Sequence, residues 1–350
     1  MTAVVTGAGH ALPPALDQAG LWADRFAEHS GSARPIAEKI WRHSGITTRR
    51  GVIDPRVEDV SHWGTGARMQ RFMAEAMPLG KEAVAVALDD AGLDPGDVGM
   101  FAVASCTGYG TPGLDIRLAA DLGMPDTTQR LHIGHMGCYA ALPGLGAVAD
   151  FVTARSRPAV LLCVELTTLH LQPPTDDLQQ VVAHALFSDA AAAVVVQPGG
   201  AAPRGAPGAG WEVVDTAAVT DASTAAFMTW DVTDLGFRMG LSPEVPGALA
   251  RHVRPAVDRL LAAHALAVGD VDGWAVHPGG RRIVEVVGEH LELTAQQLAP
   301  AYDVLDTCGN CSSATVLLVL EKVAVAPGGW CVALAFGPGL TLYATLLRRR

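Results

Sequence analysis

Two stretches about 170 residues apart share one construction, and this doubling constrains the fold more than any other feature of the chain. Gly134-His135-Met136-Gly137-Cys138-Tyr139-Ala140-Ala141-Leu142 passes from a Gly-rich turn into small residues suited to a helix. Gly309-Asn310-Cys311-Ser312-Ser313-Ala314-Thr315 does the same. Short apolar runs bounded by turn signals read as buried strands. In the first half they are Met100–Ala104, Ala159–Val164 and Ala191–Val196; in the second, Gly273–Val276, Trp330–Ala335 and Leu340–Leu346. An offset of roughly 172 relates the first three elements of each set, and the last pair fits less well. Helical patterns over Lys81–Ala91, Pro246–His264 and Arg281–His290 alternate with the strands, which indicates an α/β sheet protein. The expectation is one compact unit of two related halves, 1–205 and 206–350, joined by the exposed Pro/Gly/Ala-rich stretch Gly199–Gly210.

The composition supports a large core, with 49% hydrophobic against 17% charged residues among 350. A formal charge of −11 disfavours a nucleic-acid role, because phosphate binding needs clustered Lys and Arg. The basic runs Arg49-Arg50, Arg281-Arg282 and Arg348 to Arg350 are short. Met1 to Gly9 lacks the basic start and apolar core of a signal peptide. The longest apolar run, Cys138 to Val152, is interrupted by Pro143, Gly144 and Gly146, so no membrane span is expected. Six cysteines in a chain this long do not make a disulfide framework, and a reducing cytoplasm is the simplest setting.

Cys138 is the strongest candidate for chemistry. A thiol at a helix start faces free N–H groups and the positive dipole end, which lower its pKa. Taken alone, it reads more readily as an inert buried cysteine, as expected for Cys163 and Cys331 in mid-strand. His277 ends an apolar strand and is followed by Pro278-Gly279-Gly280. Pro278 blocks continuation and the glycines allow a sharp turn, so the ring is delivered to a strand end, where α/β sites gather. Asn310 opens the second-half helix, where a plain N-cap role competes with a catalytic one. Ser312 could cap or line a pocket. Cys308-Gly309-Asn310-Cys311 is a C-x-x-C, but no second pair or His cluster accompanies it, so redox and metal roles are disfavoured. Val5-Thr6-Gly7-Ala8-Gly9-His10 resembles a dinucleotide loop but lacks the third glycine, and Pro13 and Pro14 interrupt the required helix.

Taken together, Gly137-Cys138, His277-Pro278-Gly279-Gly280 and Gly309-Asn310-Cys311-Ser312-Ser313-Ala314 resemble the type III polyketide synthases, the chalcone-synthase superfamily. Ala335-Phe336-Gly337-Pro338-Gly339-Leu340 is similar to that family's Gly-Phe-Gly-Pro-Gly loop. Ala185-Leu186-Phe187-Ser188-Asp189-Ala190-Ala191 resembles its gatekeeper segment. The resemblance spans nearly the whole chain. It implies a thiolase-like αβαβα fold, a homodimer and one active site per subunit. It implies Cys138 as nucleophile, His277 and Asn310 as partners, and Phe187 as a gatekeeper beside a CoA tunnel, with Met239 in the second gatekeeper's place. Cys106 stands for a Thr, Leu169 for a Thr, and Trp230 for a small Gly, so Trp230 is expected to shorten the cavity. Phe336, Gly337, Pro338 and Ser312 fall beside the site. Arg42, Arg49 and Arg50 are weak matches to CoA contacts.

The implied reaction is iterative decarboxylative condensation of malonyl-CoA onto an acyl-CoA starter, then cyclisation to a pyrone or phenolic ring. A Cys138 thiolate and His277 imidazolium would form the nucleophile, and His277 with Asn310 would hold the malonyl thioester oxygen. No metal, flavin or nicotinamide is needed. An initiating ketoacyl-carrier-protein synthase shares the triad, but the Phe187 and Phe336–Gly339 segments argue against it. The doubled layout disfavours a Cys-His-Asn hydrolase. A non-catalytic acyl-binding subunit is unnecessary, because all three triad residues are present.

Overall fold

The computed structural model describes residues 2–200 and 210–350. The expected boundary at 205/206 lies outside the described residues. Nine strands form the main sheet: β1 (Ala3–Ala11), β2 (Met100–Ser105), β3 (Gln129–Gly134), β4 (Ala159–Leu166), β5 (Asp189–Pro198), β6 (Trp211–Thr220), β7 (Gly273–Val276), β8 (Trp330–Gly337) and β9 (Thr341–Arg349). Their order is β7-β8-β9-β6-β1-β5-β4-β2-β3. Each strand expected from the apolar runs is present. β1, β3 and β6 are additional, and none of the three carries an uninterrupted apolar run.

The doubling is physical. From the seam outward the first half runs β1, β5, β4, β2 and the second runs β6, β9, β8, β7. The pairing directions match step for step: antiparallel, antiparallel, parallel. β1 and β6 meet antiparallel at the seam. β3 has no counterpart, because the equivalent stretch of the second half folds as the helix Ala295–Cys308.

Two helices, Ala141–Arg155 and Ala314–Lys322, fill the space between the half-sheets and touch strands of both. Thr65–Ala91 covers the outer face of the first half and Val245–Ala262 that of the second. The result is the thiolase-like α/β layering. The apolar run after Cys138 departs from expectation. Its Pro143 and glycines do not interrupt a helix that is continuous over Ala141–Arg155. Pro143 falls in the first turn, where backbone N–H groups lack an i−4 partner. Gly144 lets the helix approach the sheet, since a Cβ there would lie 2.9 Å from Leu161. Together with the turn before it, Gly137–Arg155 is long and apolar enough to cross a membrane by composition alone, but its apolar side chains belong to the central core cluster.

The glycines of Val5–His10 have a packing role. They lie in β1, where a Cβ on Gly7 would fall 2.3 Å from the Ala87 carbonyl oxygen of the helix Thr65–Ala91. Close strand–helix contact, not phosphate binding, explains them.

Candidate active site

Each candidate side chain arrives on the end of a core element. Cys138 is in a single 3₁₀ turn, Gly137–Tyr139, which leads into the buried helix Ala141–Arg155. Gly137 adopts φ +71° against Pro338, 2.9 Å from where its Cβ would be. His277 follows β7, and its N–H donates to the Leu334 carbonyl at 2.8 Å, so β8 fixes the ring's origin. Asn310 follows the helix Ala295–Cys308. It does not cap the next helix, whose N-cap position is Ser313. Its Oδ1 instead accepts from the Ser312 N–H at 2.9 Å, and its Nδ2 donates to the Gly279 carbonyl at 3.3 Å. These bonds fix the amide's orientation and leave one Nδ2 hydrogen free.

A ladder across the two halves anchors Asn310. Its N–H donates to the Leu186 carbonyl, and its carbonyl accepts from the Ser188 N–H, both at 2.9 Å. Phe187 and Asn310 are therefore bridge partners. Cys138 Sγ lies 4.0 Å from Asn310 Oδ1. Cys138, His277, Asn310, Phe187, Met239 and Phe336 all line one cavity of about 700 Å³. The Phe336 ring meets His277 edge-on, with centroids 5.7 Å apart.

Burial governs the site's electrostatics. It pushes the Cys138 thiol up to about 12, although Ser312 and Asn310 pull the other way. It pushes His277 down to about 3, and neither ring nitrogen has a hydrogen-bond partner among the described residues. The expected lowering of the thiol by the helix start is therefore outweighed. In the cavity burial favours the uncharged form of each group, the thiol of Cys138 and the neutral imidazole of His277. Behind Cys138, fully buried Glu165 accepts from Ser313 Oγ at 2.6 Å, Thr107 Oγ1 at 2.7 Å and the Cys106 N–H at 3.0 Å. Burial raises its pKa.

The remaining candidates separate into two groups. Cys106, Trp230, Ser312 and Pro338 surround a small extension of about 20 Å³ next to Cys138. Trp230 is held there by its Nε1–H, which donates to the Cys106 carbonyl at 2.8 Å. Gly337 lets β8 pass the nucleophile turn, since a Cβ would fall 2.9 Å from Tyr139 and 3.4 Å from Cys138 N. Leu169 is a correction. The tight turn Thr167–His170 buries its side chain in the first-half core, and His170 faces the inner cavity in its place.

The three arginines matched to CoA contacts lie in different settings. Arg42 is exposed and pairs with Glu38 at 2.5 Å. Arg49 is buried, donates to the His184 and Phe187 carbonyls, and stacks over Trp41 at 4.9 Å. Arg50 lines an inner cavity of about 60 Å³ with Arg49. Arg281 and Arg282 line the main cavity. They had a sequence signal, following His277-Pro278-Gly279-Gly280 directly. The apolar wall of Ile40, Leu178, Val182, Leu241 and Ile283 had none. Cys311 Sγ contacts the Cys308 carbonyl at 3.5 Å, all six cysteines are free, and no metal-ligand cluster forms among the described residues.

Comparisons with known proteins agree with one another. The family models for chalcone and stilbene synthases match in both parts, the N-terminal domain over residues 41–203 and the C-terminal domain over 218–349. A 1,3,6,8-tetrahydroxynaphthalene synthase from Streptomyces peucetius is 36% identical, covering 97% of this chain and 91% of that protein. An alpha-pyrone synthesis polyketide synthase-like protein, Pks18, from Mycobacterium tuberculosis is 31% identical, covering 98% of this chain and 90% of its own length. Among solved structures, PKS-I from the brown alga Ectocarpus siliculosus superposes with a TM-score of 0.91 at 29% identity, covering 100% of this chain and 98% of that one.

Proposed function

Because the chain belongs to the chalcone and stilbene synthase family and is a type III polyketide synthase, we propose that Cys138, His277 and Asn310 carry out its condensation chemistry. The observation that carries this reading is their convergence, from both halves, on one apolar cavity. The halves 1–205 and 206–350 then act as two thiolase-like units, the first supplying the nucleophile and the second the His and Asn.

The proton steps are written from the uncharged forms that burial favours. As Cys138 Sγ attacks the starter thioester carbonyl, its proton passes to His277, and CoA leaves with that proton. Malonyl-CoA then places its thioester oxygen against His277 and the free Nδ2–H of Asn310. A neutral imidazole, favoured by the pKa pushed down to about 3, can donate one hydrogen bond there. As CO₂ leaves, these two donors stabilise the enolate; its carbon attacks the acyl-Cys carbonyl and the acyl–sulfur bond breaks, releasing Cys138 as the thiolate and leaving the extended chain on CoA. The extended chain returns from CoA to Cys138 for the next round. A low-dielectric site strengthens such donors, and losing one costs about 10²–10³ in rate. Every step uses CoA thioesters and side chains alone.

Phe187 and Met239 flank the approach to Cys138, and Trp230 restricts starter size or chain length. Arg281 and Arg282 suit the phosphates of CoA better than Arg42, Arg49 or Arg50 do. A pyrone or phenolic product is consistent with the relatives' names. A homodimer would use the outer edge of β3, unpaired in a single chain and largely exposed. Six free thiols suit a reducing cytoplasm.

The test is incubation of purified protein with malonyl-CoA and a panel of acyl-CoAs, followed by mass spectrometry. Condensed products and released CoA are expected, and Cys138→Ala should abolish the products. Neither signal across a broad panel would sink the reading. Product formation by Cys138→Ala would sink the assigned nucleophile.

A further inference from the structure

The ribbon Met228–Thr233/Gly236–Leu241 stands apart from the main sheet, yet it supplies Met228, Trp230 and Met239 to the cavity walls. An isolated two-stranded ribbon is marginal in water. Every second residue of its outer strand also presents an N–H and a C=O with no strand to receive them. In Gly236–Leu241 that edge belongs to Phe237, Met239 and Leu241.

Side chains from one neighbouring segment occupy the edge. His170 Nδ1 accepts from the Phe237 N–H at 2.9 Å. Gln172 Nε2 shares its two hydrogens among the His170 carbonyl at 2.9 Å, the Phe237 carbonyl at 3.2 Å and the Leu235 carbonyl at 3.3 Å. Gln180 Nε2 donates to the Met239 carbonyl. Gln179 Oε1 accepts from the Leu241 N–H at 2.8 Å. His170 is held in the required tautomer, since its Nε2 meets the Thr107 carbonyl at 2.6 Å and can only donate there. His170, Gln172 and Gln180 are between 3% and 8% exposed, so water does not compete for these bonds.

We infer that His170, Gln172, Gln179 and Gln180 serve as a surrogate third strand, positioning residues that lock the ribbon's register and so limit how far a chain on Cys138 can grow. This rests on the condensation reading above. Trp230 and Met239 are cross-strand partners and share one face of the ribbon. A slip of one residue would turn both to the opposite face. Both also line the inner cavity of about 60 Å³, with Phe187, His170 and Gln180. A locked ribbon keeps that space apart from the reaction cavity, and a loosened one joins the two. Glutamine suits the task because it is neutral when buried and offers donor and acceptor at once.

The experiment compares wild type with Gln180→Leu and with Gln172→Leu, the latter at a residue not among those lining either cavity. Hydrogen exchange read by mass spectrometry over 228–241 should accelerate about fivefold for each bond lost. Products from malonyl-CoA should shift to longer chains, while kcat/KM for loading the starter onto Cys138 stays at the wild-type value. Unchanged exchange and an unchanged product distribution in both variants would overturn the inference. So would a product shift accompanied by uniform loss of protection across the main sheet, which marks general loosening. A wild type that condenses nothing would refute the condensation reading instead, and the exchange comparison would still decide whether these side chains lock the register.

Discussion

Replacing Gly309 by Ala perturbs the joint between the halves at its tightest point. Gly309 adopts φ +73° and ψ −166°, a conformation essentially reserved for glycine. An added Cβ would lie 2.3 Å from Ser188 Oγ and 3.1 Å from the Leu186 carbonyl oxygen. Backbone strain costs about 1–3 kcal/mol and overpacking a similar amount, so a loss of about 4 kcal/mol is expected. For a chain of this length that corresponds to a fall in Tm of roughly 5 °C. Relief of the clash would break the ladder that joins Asn310 to Leu186 and Ser188, moving the amide away from Cys138. Loss of that donor should cut condensation by about 10²–10³. Ser188→Ala provides a second measure. Ser188 Oγ is buried without a partner, so the single change should be nearly neutral. Combined with Gly309→Ala it removes the closest contact but not the unfavourable φ. The double-mutant cycle should therefore return a favourable coupling of about 1–2 kcal/mol with incomplete rescue. Thermal melts and malonyl-CoA turnover are the assays. A Gly309→Ala protein with wild-type Tm and turnover would refute the reasoning.

Trp230→Gly removes the side chain that stands between Cys138 and the inner cavity and should admit longer starters or more extensions; an unchanged product profile would remove Trp230 from the cavity argument. Asp189 gives a pH signature. Burial pushes its carboxyl from 3.8 up to about 6, despite N–H groups of Val52 and Thr168 donating to it. A raised folded pKa means the protonated form stabilises the fold. That contribution is complete below the unfolded pKa near 4 and is lost as pH rises through about 6, on the order of 3 kcal/mol in all. Urea midpoints measured from pH 4 to 7 should therefore fall less in Asp189→Asn than in wild type. An identical slope would show that Asp189 does not titrate there.

The reach of the sequence ends at identifiable residues. Cys138, His277 and Asn310 are legible because turn chemistry is local: glycines and Pro278 mark where elements end, and α/β sites gather at such ends. The doubled order of strands is legible for the same reason, as each run carries its own period and its own punctuation. β1 is hidden because its glycines, small to admit the helix Thr65–Ala91, read as a loop. Leu169 is misplaced and His170 goes unnoticed because a 3₁₀ turn, unlike a strand, gives no alternation to count.

What the sequence determined alone is the candidate set of Cys138, His277 and Asn310 and the two-half architecture, since both are written in local patterns. What only the tertiary structure decided is the environment of those residues. Burial is a sum over contacts from distant segments, so no local pattern announces that the surroundings of Cys138 and His277 disfavour the charged form of each. The same holds for the ribbon behind Trp230, whose edge is closed by His170, Gln172, Gln179 and Gln180 from some 60 residues away.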